Sequence, residues 1–203
     1  MSGSGDAGRS SIHDGIEPLD GRLVHLRPAI ASDAADVAAI ATILIDPSVN
    51  DWWQTHDAEV EAADLVADPE LALWLVEDGL AVVGLIMASE ENEPQYRHAG
   101  IDIALNASGQ GRGFGPDAVA TVARWLIDGR GHHRLTIDPS AANTRAIAAY
   151  AKVGFRPVGT LRAYERWLDG AWHDGLLMEL LSSDLADPRR GEPRPDEPNR
   201  GRR

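Results

Sequence analysis

Apolar residues follow two different periods along the chain, and the order of these periods predicts a mixed α/β domain. Apolar runs typical of strands occur at "RLVHLRPA" (22–29), "LALWLVED", "LAVVGLIMASEE", "HAGIDIAL" and "RLTID". Helical spacing occurs in "SDAADVAAIATIL", "AEVEAADLVAD" (58–68), the segment from Pro116 to Asp128 and "TRAIAAYAKVG". With a last pair of strands near residue 170, the predicted order is β-α-α-β-β-β-α-β-α-β-β, without an internal repeat.

Capping and turn residues predict where several of these elements end. Ser32 is the expected N-cap of the first helix, and Gly154 is expected to end the last one. The Asp-Gly pairs at 78–79 and 169–170 each predict a hairpin between two strands. Hairpins combined with strand–helix–strand connections predict a mixed sheet.

The chain is expected to form one domain, because 203 residues is an ordinary length for a single fold. Residues 1–19 lack the apolar stretch of a secretory signal and are expected to be a flexible leader. Residues 184–203 are rich in Pro, Arg, Asp and Glu, so a disordered charged tail is expected there. The folded domain is then predicted over residues 20–183.

Composition narrows the classes of partner. No apolar run approaches the ~20 residues that span a bilayer, so no membrane segment is expected. The sequence has no cysteine, which removes disulfides and thiolate nucleophiles and fits a cytoplasmic protein. The net charge of −13 argues against nucleic acid as a partner and favours cationic substrates, with solubility as the alternative explanation.

A glycine-rich loop, "GQGRGFG" at 109–115, lies between a predicted strand and a predicted helix. Backbone N–H groups at a helix start favour an anion such as phosphate, and glycines allow it to approach closely. A Walker loop is excluded because the single lysine of the sequence, Lys152, lies far downstream. A Rossmann motif would need glycine where Pro116 or Ala118 stands. A surface turn without a ligand is the other explanation.

The segment from Gln110 to Gly115 resembles the pyrophosphate loop of the GCN5-related N-acetyltransferases (GNAT family), and "DPSAANTRAIAAYAKVGF" at 138–155 resembles the family's next motif. The resemblance covers roughly residues 20–183 and implies a GNAT fold. That fold is α/β (α+β), with a mixed, mostly antiparallel sheet, flanking helices and splayed central strands. It also implies acetyl-CoA as co-substrate. Independently of the resemblance, no metal is expected, because the histidines lack a second ligand at metal-binding spacing. The implied coenzyme-binding residues are Gln110, Gly111, Arg112, Gly113, Phe114, Gly115 and Asn143.

Acetyl transfer to an amine needs a base for the amine and a proton for the leaving sulfur. Without cysteine or an evident Ser-His-Asp order, direct attack in a ternary complex is favoured over an acyl-enzyme. The resemblance makes Tyr150 the acid, although a tyrosine simply packed on its helix is the alternative. Alternation along the strand separates Asp102 from Ile101 and Ile103, so its carboxylate faces solvent or a cleft and could act as the base.

The stretches "VNDWWQ", "GIDIALNASGQGRGFG" and "TIDPSAANTRAIAAYAKVGF" together look like aminoglycoside 6'-N-acetyltransferases and relatives that acetylate the 2'-amine of kasugamycin. This resemblance implies that Asp102 and Asp138 contact substrate amines, with Asp102 as base. It also implies that Trp52 and Trp53 line the antibiotic side, unless they are buried in a small core. Ile103 departs from the pattern, because well-known members have a polar residue there.

The C-terminal "YERWLDGAWHDGLLMELL" looks instead like relatives that acetylate the N-termini of ribosomal proteins. His173 and Asp174 could bind substrate there or only stabilise a hairpin. Three functions therefore stay open: an aminoglycoside N-acetyltransferase, a ribosomal-protein or small-amine N-acetyltransferase, and a coenzyme A binding module without catalysis. The sequence leaves a homodimer open.

Overall fold

The computed structural model describes residues 12–13 and 16–185, and within this part of the chain eight strands form one sheet. The strands are β1 (Leu19–Asp20), β2 (His25–Pro28), β3 (Leu71–Glu77), β4 (Val82–Glu91), β5 (His98–Leu105), β6 (Arg134–Ile137), β7 (Arg156–Arg166) and β8 (Trp172–Leu181). Their order in the sheet is β1-β2-β3-β4-β5-β6-β8-β7. Only the β5–β6 pair among these strands is parallel, so the sheet is mixed and mostly antiparallel as expected.

The helices of the described residues are α1 (Ala34–Leu44), α2 (Pro47–Asn50), α3 (Ala58–Ala67), α4 (Phe114–Arg124) and α5 (Thr144–Val153). A π-helical turn, Trp125–Gly129, extends α4. The expected N-cap of α1 at Ser32 was wrong by one residue, because the Asp33 carboxylate accepts the hydrogen bond from Ala35 N at 2.9 Å. The short elements β1 and α2 were not predicted. Gly154, in the left-handed region at φ 119°, ends α5 as expected.

Two apolar cores lie on opposite faces of the sheet, as β3 illustrates. Trp74 and Val76 join the larger core, while Leu73 and Leu75 join the smaller one. The larger core packs against α4 and α5, and the smaller core contains residues of α1 and α3. Because helices cover both faces, the central strands are apolar on both sides instead of alternating with polar residues.

The folded part begins before the predicted boundary at residue 20. Ile16 and Leu19 pack against the larger core, and Ile12 is 5% exposed within it. The backbone oxygen of Glu17 accepts a hydrogen bond from Trp74 Nε1 at 3.0 Å. The rest of the expected leader, and residues 186–203 of the expected tail, lie outside the described residues.

The central strands β5 and β6 separate soon after they meet. They pair only at Ala99 with Leu135 and at Gly100 with Thr136, although β5 continues to Leu105. The splayed strands implied by the resemblance are therefore present. The gap between the diverging strands places β5, the glycine loop and α5 around one opening. No described helix is long and apolar enough to cross a membrane.

Candidate active site

A cavity of about 770 Å³ occupies the opening between the separated strands. The five residues proposed to bind substrate or catalyse the reaction line this cavity: Trp52, Trp53, Asp102, Asp138 and Tyr150. They come from the segment after α2, from β5, from the end of β6 and from α5. The fold thus brings together side chains that are up to about a hundred positions apart in the sequence.

One end of the cavity is formed by the backbone of the glycine loop. Gly111 and Gly113 have positive φ angles of 75° and 85°, which favour glycine. Gly113 is the N-cap of α4, and no side chain of the described residues caps the helix there. A Cβ built on Gly111 would have no described heavy atom within 4 Å. A helix start without a side-chain cap, beside a loop with open space around Gly111, fits a bound pyrophosphate, and this loop could hold that part of coenzyme A.

Two side chains of the loop pack away from the cavity. Arg112 Nη1 forms an ion pair with Asp78 Oδ2 at 2.8 Å, and its guanidinium lies 4.3 Å from the centre of the Phe114 ring. Phe114 itself is 6% exposed and belongs to the larger core. Neither the Arg112 nor the Phe114 side chain lines the cavity in this arrangement, although the Arg112 side chain is half exposed.

Gln110 and Asn143 line the cavity while also stabilising its walls. Gln110 Nε2 donates to the backbone oxygen of Leu105 at 2.6 Å and to Ser48 Oγ at 3.0 Å. Its Oε1 accepts a hydrogen bond from Arg145 Nη1 at 2.6 Å. Asn143 caps α5, where its Oδ1 accepts from Ala146 N at 3.1 Å. These bonds tie the glycine loop to α2 and α5.

Asp102 lines the cavity from β5, while Ile101 and Ile103 pack on the larger core as the alternation predicted, and Ile103 also borders the cavity. The carboxylate is open to the cavity, but protein surrounds it on the other sides. This burial, together with the negative charge of Asp138, raises the pKa of Asp102 to about 6. A carboxyl group with that pKa is ionised at neutral pH and basic enough to accept a proton from an amine.

Tyr150 on α5 is 8% exposed, and its ring lies 6.4 Å from the ring of Phe155. Burial and the charges of Asp102 and Asp138 raise the pKa of the phenol above its ordinary value. The hydroxyl therefore stays protonated across the usual working range of pH. In that state it is able to donate a proton or a hydrogen bond into the cavity.

The two tryptophans make different contacts at the other end of the cavity. Trp52 meets the edge of Trp167 in the β7–β8 hairpin, with ring centres 6.3 Å apart. Trp53 Nε1 donates a hydrogen bond to Glu61 Oε1 at 2.6 Å, and its ring packs against the smaller core. Both indole rings stay half-buried and line the cavity.

The tip of the β7–β8 hairpin is attached to the segment that carries these tryptophans. Gln54 Oε1 accepts a hydrogen bond from Leu168 N at 2.6 Å. His173 stacks on the Trp167 ring, with ring centres 3.7 Å apart. Asp174 Oδ1 accepts from Ala163 N at 2.8 Å. In this arrangement His173 and Asp174 stabilise the hairpin.

Tyr164 lines the same cavity, but the sequence motifs did not identify it. Its hydroxyl donates a hydrogen bond to Asp138 Oδ2. The one sequence feature that could have identified Tyr164 as a site residue was its position in "YERW". That stretch resembles the hairpin of the relatives that acetylate the N-termini of ribosomal proteins. A hydrogen bond between residues 26 positions apart depends on how β7 and the end of β6 lie in space.

The sequence matches the Acetyltransferase (GNAT) domain over residues 23–156. This match covers most of the chain, and the protein therefore belongs to the GNAT acetyltransferase family.

Two relatives and one solved structure illustrate the similarity. The kanamycin resistance protein of Rhizobium radiobacter is 40% identical over 73 residues, which is 36% of this chain and 66% of that protein. The aminoglycoside N(6')-acetyltransferase type 1 of Klebsiella pneumoniae is also 40% identical over 73 residues, or 36% of this chain and 35% of its own length. Mycobacterium smegmatis RimJ, in complex with CoA-disulfide, superposes with a TM-score of 0.70 and 26% identity, covering 84% of this chain and 88% of RimJ.

Proposed function

We propose that the protein transfers an acetyl group from acetyl-CoA to an amine of an aminoglycoside. The observation that carries this proposal is the pair of carboxylates, Asp102 and Asp138, that face one cavity across the separated strands. Two negative charges in a partly enclosed cavity attract a substrate with several ammonium groups. The names of the two partial relatives, which concern kanamycin resistance and aminoglycoside acetylation, support the same substrate class.

The charges that line the cavity match two substrates of opposite charge. Glu61 and Glu165 also line it, and they add to the negative charge around the two aspartates. The basic residues that line it are Arg145 and Lys152, both on α5, and Arg145 Nη1 donates a hydrogen bond to Gln110 Oε1 in the glycine loop at 2.6 Å. An anionic coenzyme and a cationic acceptor would therefore be drawn to different ends of the same cavity, with the acetyl group between them.

Each catalytic step corresponds to a residue already described. Acetyl-CoA, when bound, supplies the acetyl group as a reactive thioester. Asp138 holds the ammonium group of the acceptor, and Asp102 takes its proton so that the neutral amine can attack. Tyr150 donates a proton toward the leaving sulfur. The acetyl group passes directly between the substrates, because the chain has no cysteine to carry it.

Thiol release from acetyl-CoA, followed with a colorimetric thiol reagent, tests this proposal. The acceptors are kanamycin, other aminoglycosides, kasugamycin, and N-terminal peptides of ribosomal proteins as the alternative substrate class. Turnover on an aminoglycoside with a micromolar KM, and none on the peptides, is the expected result. Turnover on the peptides alone would contradict the proposal and would indicate that the acceptor is the N-terminus of a protein.

A further inference from the structure

The glycine loop, residues 109–115, is also held by the turn between β3 and β4, which does not line the cavity. Arg112 Nη1 donates to Asp78 Oδ2 at 2.8 Å, although the two residues are 34 positions apart. The Asp78 side chain is 7% exposed, whereas that of Arg112 is 50% exposed. In this ion pair, an enclosed carboxylate of the turn holds a long side chain of the loop.

The turn fixes the direction of the Asp78 carboxylate. Its Oδ1 accepts hydrogen bonds from Leu80 N at 3.0 Å and from Ala81 N at 3.1 Å. Asp78 N donates to Ala81 O at 3.1 Å, and Gly79 has a φ of 88°, which favours glycine. Because Oδ1 is used within the turn, Oδ2 is the oxygen that can bind a partner outside it. That partner is Arg112.

Arg112 connects this carboxylate to both ends of the glycine loop. Its Nη1 also donates to the backbone oxygen of Ser108, just before the loop, at 3.4 Å. Its guanidinium lies 4.3 Å from the centre of the Phe114 ring, which is buried in the larger core where α4 begins. A single side chain therefore spans the loop from its start to the first turn of α4.

The glycines of the loop do not hold its conformation by themselves. Gly111 and Gly113 have positive φ angles, and glycine loses more conformational freedom on ordering than any other residue. Gly109 lies against β4, since a Cβ there would be 2.9 Å from a backbone oxygen of that strand. Two side chains then hold the loop from different directions: Gln110 bonds toward α2 and α5, and Arg112 bonds to the β3–β4 turn.

We propose that Asp78 is a positioning residue for coenzyme A. Through Arg112, it holds the backbone of the glycine loop in the conformation that receives the pyrophosphate. Asp78 itself does not touch the coenzyme, and the Arg112 side chain stays on Asp78 when the coenzyme is bound. This role rests on the coenzyme half of the proposed function, and it does not depend on which acceptor is acetylated.

Direct binding of a phosphate by the half-exposed Arg112 side chain is the alternative, and the two roles predict opposite effects. If Arg112 bound the coenzyme, Asp78 would compete with the phosphates for the guanidinium, and loss of Asp78 would strengthen binding. If Asp78 positions the loop, its loss lets the glycines adopt other conformations in the free protein. The cost of ordering them on binding then lowers the affinity for the coenzyme.

The variants Asp78→Asn and Asp78→Glu separate the ion pair from the turn. Asn keeps an Oδ1 for the two backbone amides of the turn but presents an amide donor to Arg112, whereas Glu keeps the charge and alters the turn. We expect coenzyme A to bind about 5-fold more weakly to Asp78→Asn by calorimetry, as for the loss of one partly exposed ion pair. Asp78→Glu should bind it nearly as well as the unmodified protein.

Amide hydrogen exchange in the free protein tests the same role without any ligand. Exchange in residues 109–115 should be faster in Asp78→Asn than in the unmodified protein, because the loop is held by fewer contacts. Glu179→Gln is the matched control, since it breaks another 2.8 Å ion pair, with Arg134, and neither residue lines the cavity. It should change neither the exchange of the loop nor the affinity for coenzyme A.

Two further measurements distinguish positioning from a general loss of structure. Pantetheine, which lacks the pyrophosphate, should bind equally to Asp78→Asn and to the unmodified protein in an NMR shift titration. Adding Asp78→Asn to Arg112→Met should weaken coenzyme A binding no further than Arg112→Met alone, because Asp78 acts through Arg112.

The positioning role of Asp78 is overturned by any of three results. Asp78→Asn could leave the affinity for coenzyme A unchanged or increase it, Asp78→Glu could weaken binding as much as Asp78→Asn, or the affinity for pantetheine could fall equally. Failure of the proposed function gives a different pattern. Coenzyme A then binds and responds to the variants as expected while no aminoglycoside is acetylated, whereas a lack of binding to the unmodified protein overturns both.

Discussion

The two ends of the cavity are built from the chain in different ways. The glycine loop forms the first end, which we call the coenzyme end, and it contributes backbone groups of consecutive residues, 109–115. The second end, the acceptor end, contains Trp52, Asp102, Asp138 and Tyr164, which come from four separate segments and contribute side chains. The coenzyme end should therefore depend on backbone conformation, and the acceptor end on individual side chains.

The two ends also differ in how their parts are held together. At the coenzyme end, the Gln110 side chain makes three hydrogen bonds, which tie the loop to Leu105, Ser48 and Arg145. At the acceptor end, one hydrogen bond between Gln54 and Leu168 attaches the hairpin tip to the segment of the paired tryptophans. From this contrast we expect loss of a single side-chain hydrogen bond at the hairpin tip to affect the acceptor end and to leave the coenzyme end unchanged.

Asp102→Asn should have the largest effect, because it removes the proposed base at the acceptor end. We expect kcat/KM to fall by about 10³-fold. In the unmodified protein kcat/KM should rise with pH through about 6, as the raised pKa of Asp102 is passed and the carboxylate ionises. The pH–rate profile of the variant should lack this rise. Asp64→Asn, on the exposed side of α3, is the matched control. Full activity and an unchanged profile would assign the base to another group.

Tyr150→Phe should have the next largest effect, since it removes the proposed proton donor and leaves the buried ring in place. We expect kcat to fall by about 10²-fold with little change in either KM. Steady-state kinetics with both substrates varied will measure this. Tyr96→Phe, at an exposed tyrosine between β4 and β5, controls for the chemical change alone. A variant with unaltered kcat would show that the leaving sulfur is protonated by another donor.

Gly113→Ala should affect only the coenzyme end. A Cβ at φ 85° strains the backbone of the loop, and it would lie 3.3 Å from Leu23 Cδ1. We expect coenzyme A to bind about 10-fold more weakly by calorimetry, with little change in acceptor KM. Gly131→Ala is the matched control, because its φ of 73° imposes similar strain in a loop away from the cavity. Both variants should lose about 1 kcal/mol of unfolding free energy. Equal coenzyme affinity in the two would exclude the loop as the pyrophosphate site.

Gln54→Ala should have the smallest effect, confined to the acceptor end. It removes the hydrogen bond that holds the hairpin tip at Leu168. We expect acceptor KM to rise about 3-fold, because the loss of one hydrogen bond has a small energetic effect. Coenzyme affinity should stay constant. Gln95→Ala, at an exposed position between β4 and β5, provides the control. A larger change in coenzyme affinity than in acceptor KM would mean that the two ends are coupled.

Several expectations from the sequence were confirmed because they depend on neighbouring residues. The β3–β4 and β7–β8 hairpins form at their Asp-Gly pairs, and Gly154 ends α5 in the left-handed conformation. Errors arose where local signals were ambiguous. Ser32 and Asp33 are neighbouring residues that can both cap the start of α1, and Asp33 does so. The four-residue helix α2 is too short to show a helical repeat of apolar residues. Residues 16–19 were assigned to a flexible leader, but Ile16 and Leu19 are partly buried against the larger core by tertiary contacts.

The sequence by itself determined the family, the order of the elements other than β1 and α2, the glycine loop, and the membership of Asp102, Asp138 and Tyr150 in one candidate site. These follow from motifs and periods that are properties of short segments. Only the tertiary structure decided that Arg112 and Phe114 turn away from the cavity, that Gln54 attaches the hairpin, and that Tyr164 reaches Asp138. Each of these contacts joins distant segments, and its distance and direction are set by sheet register and packing, which no single segment encodes.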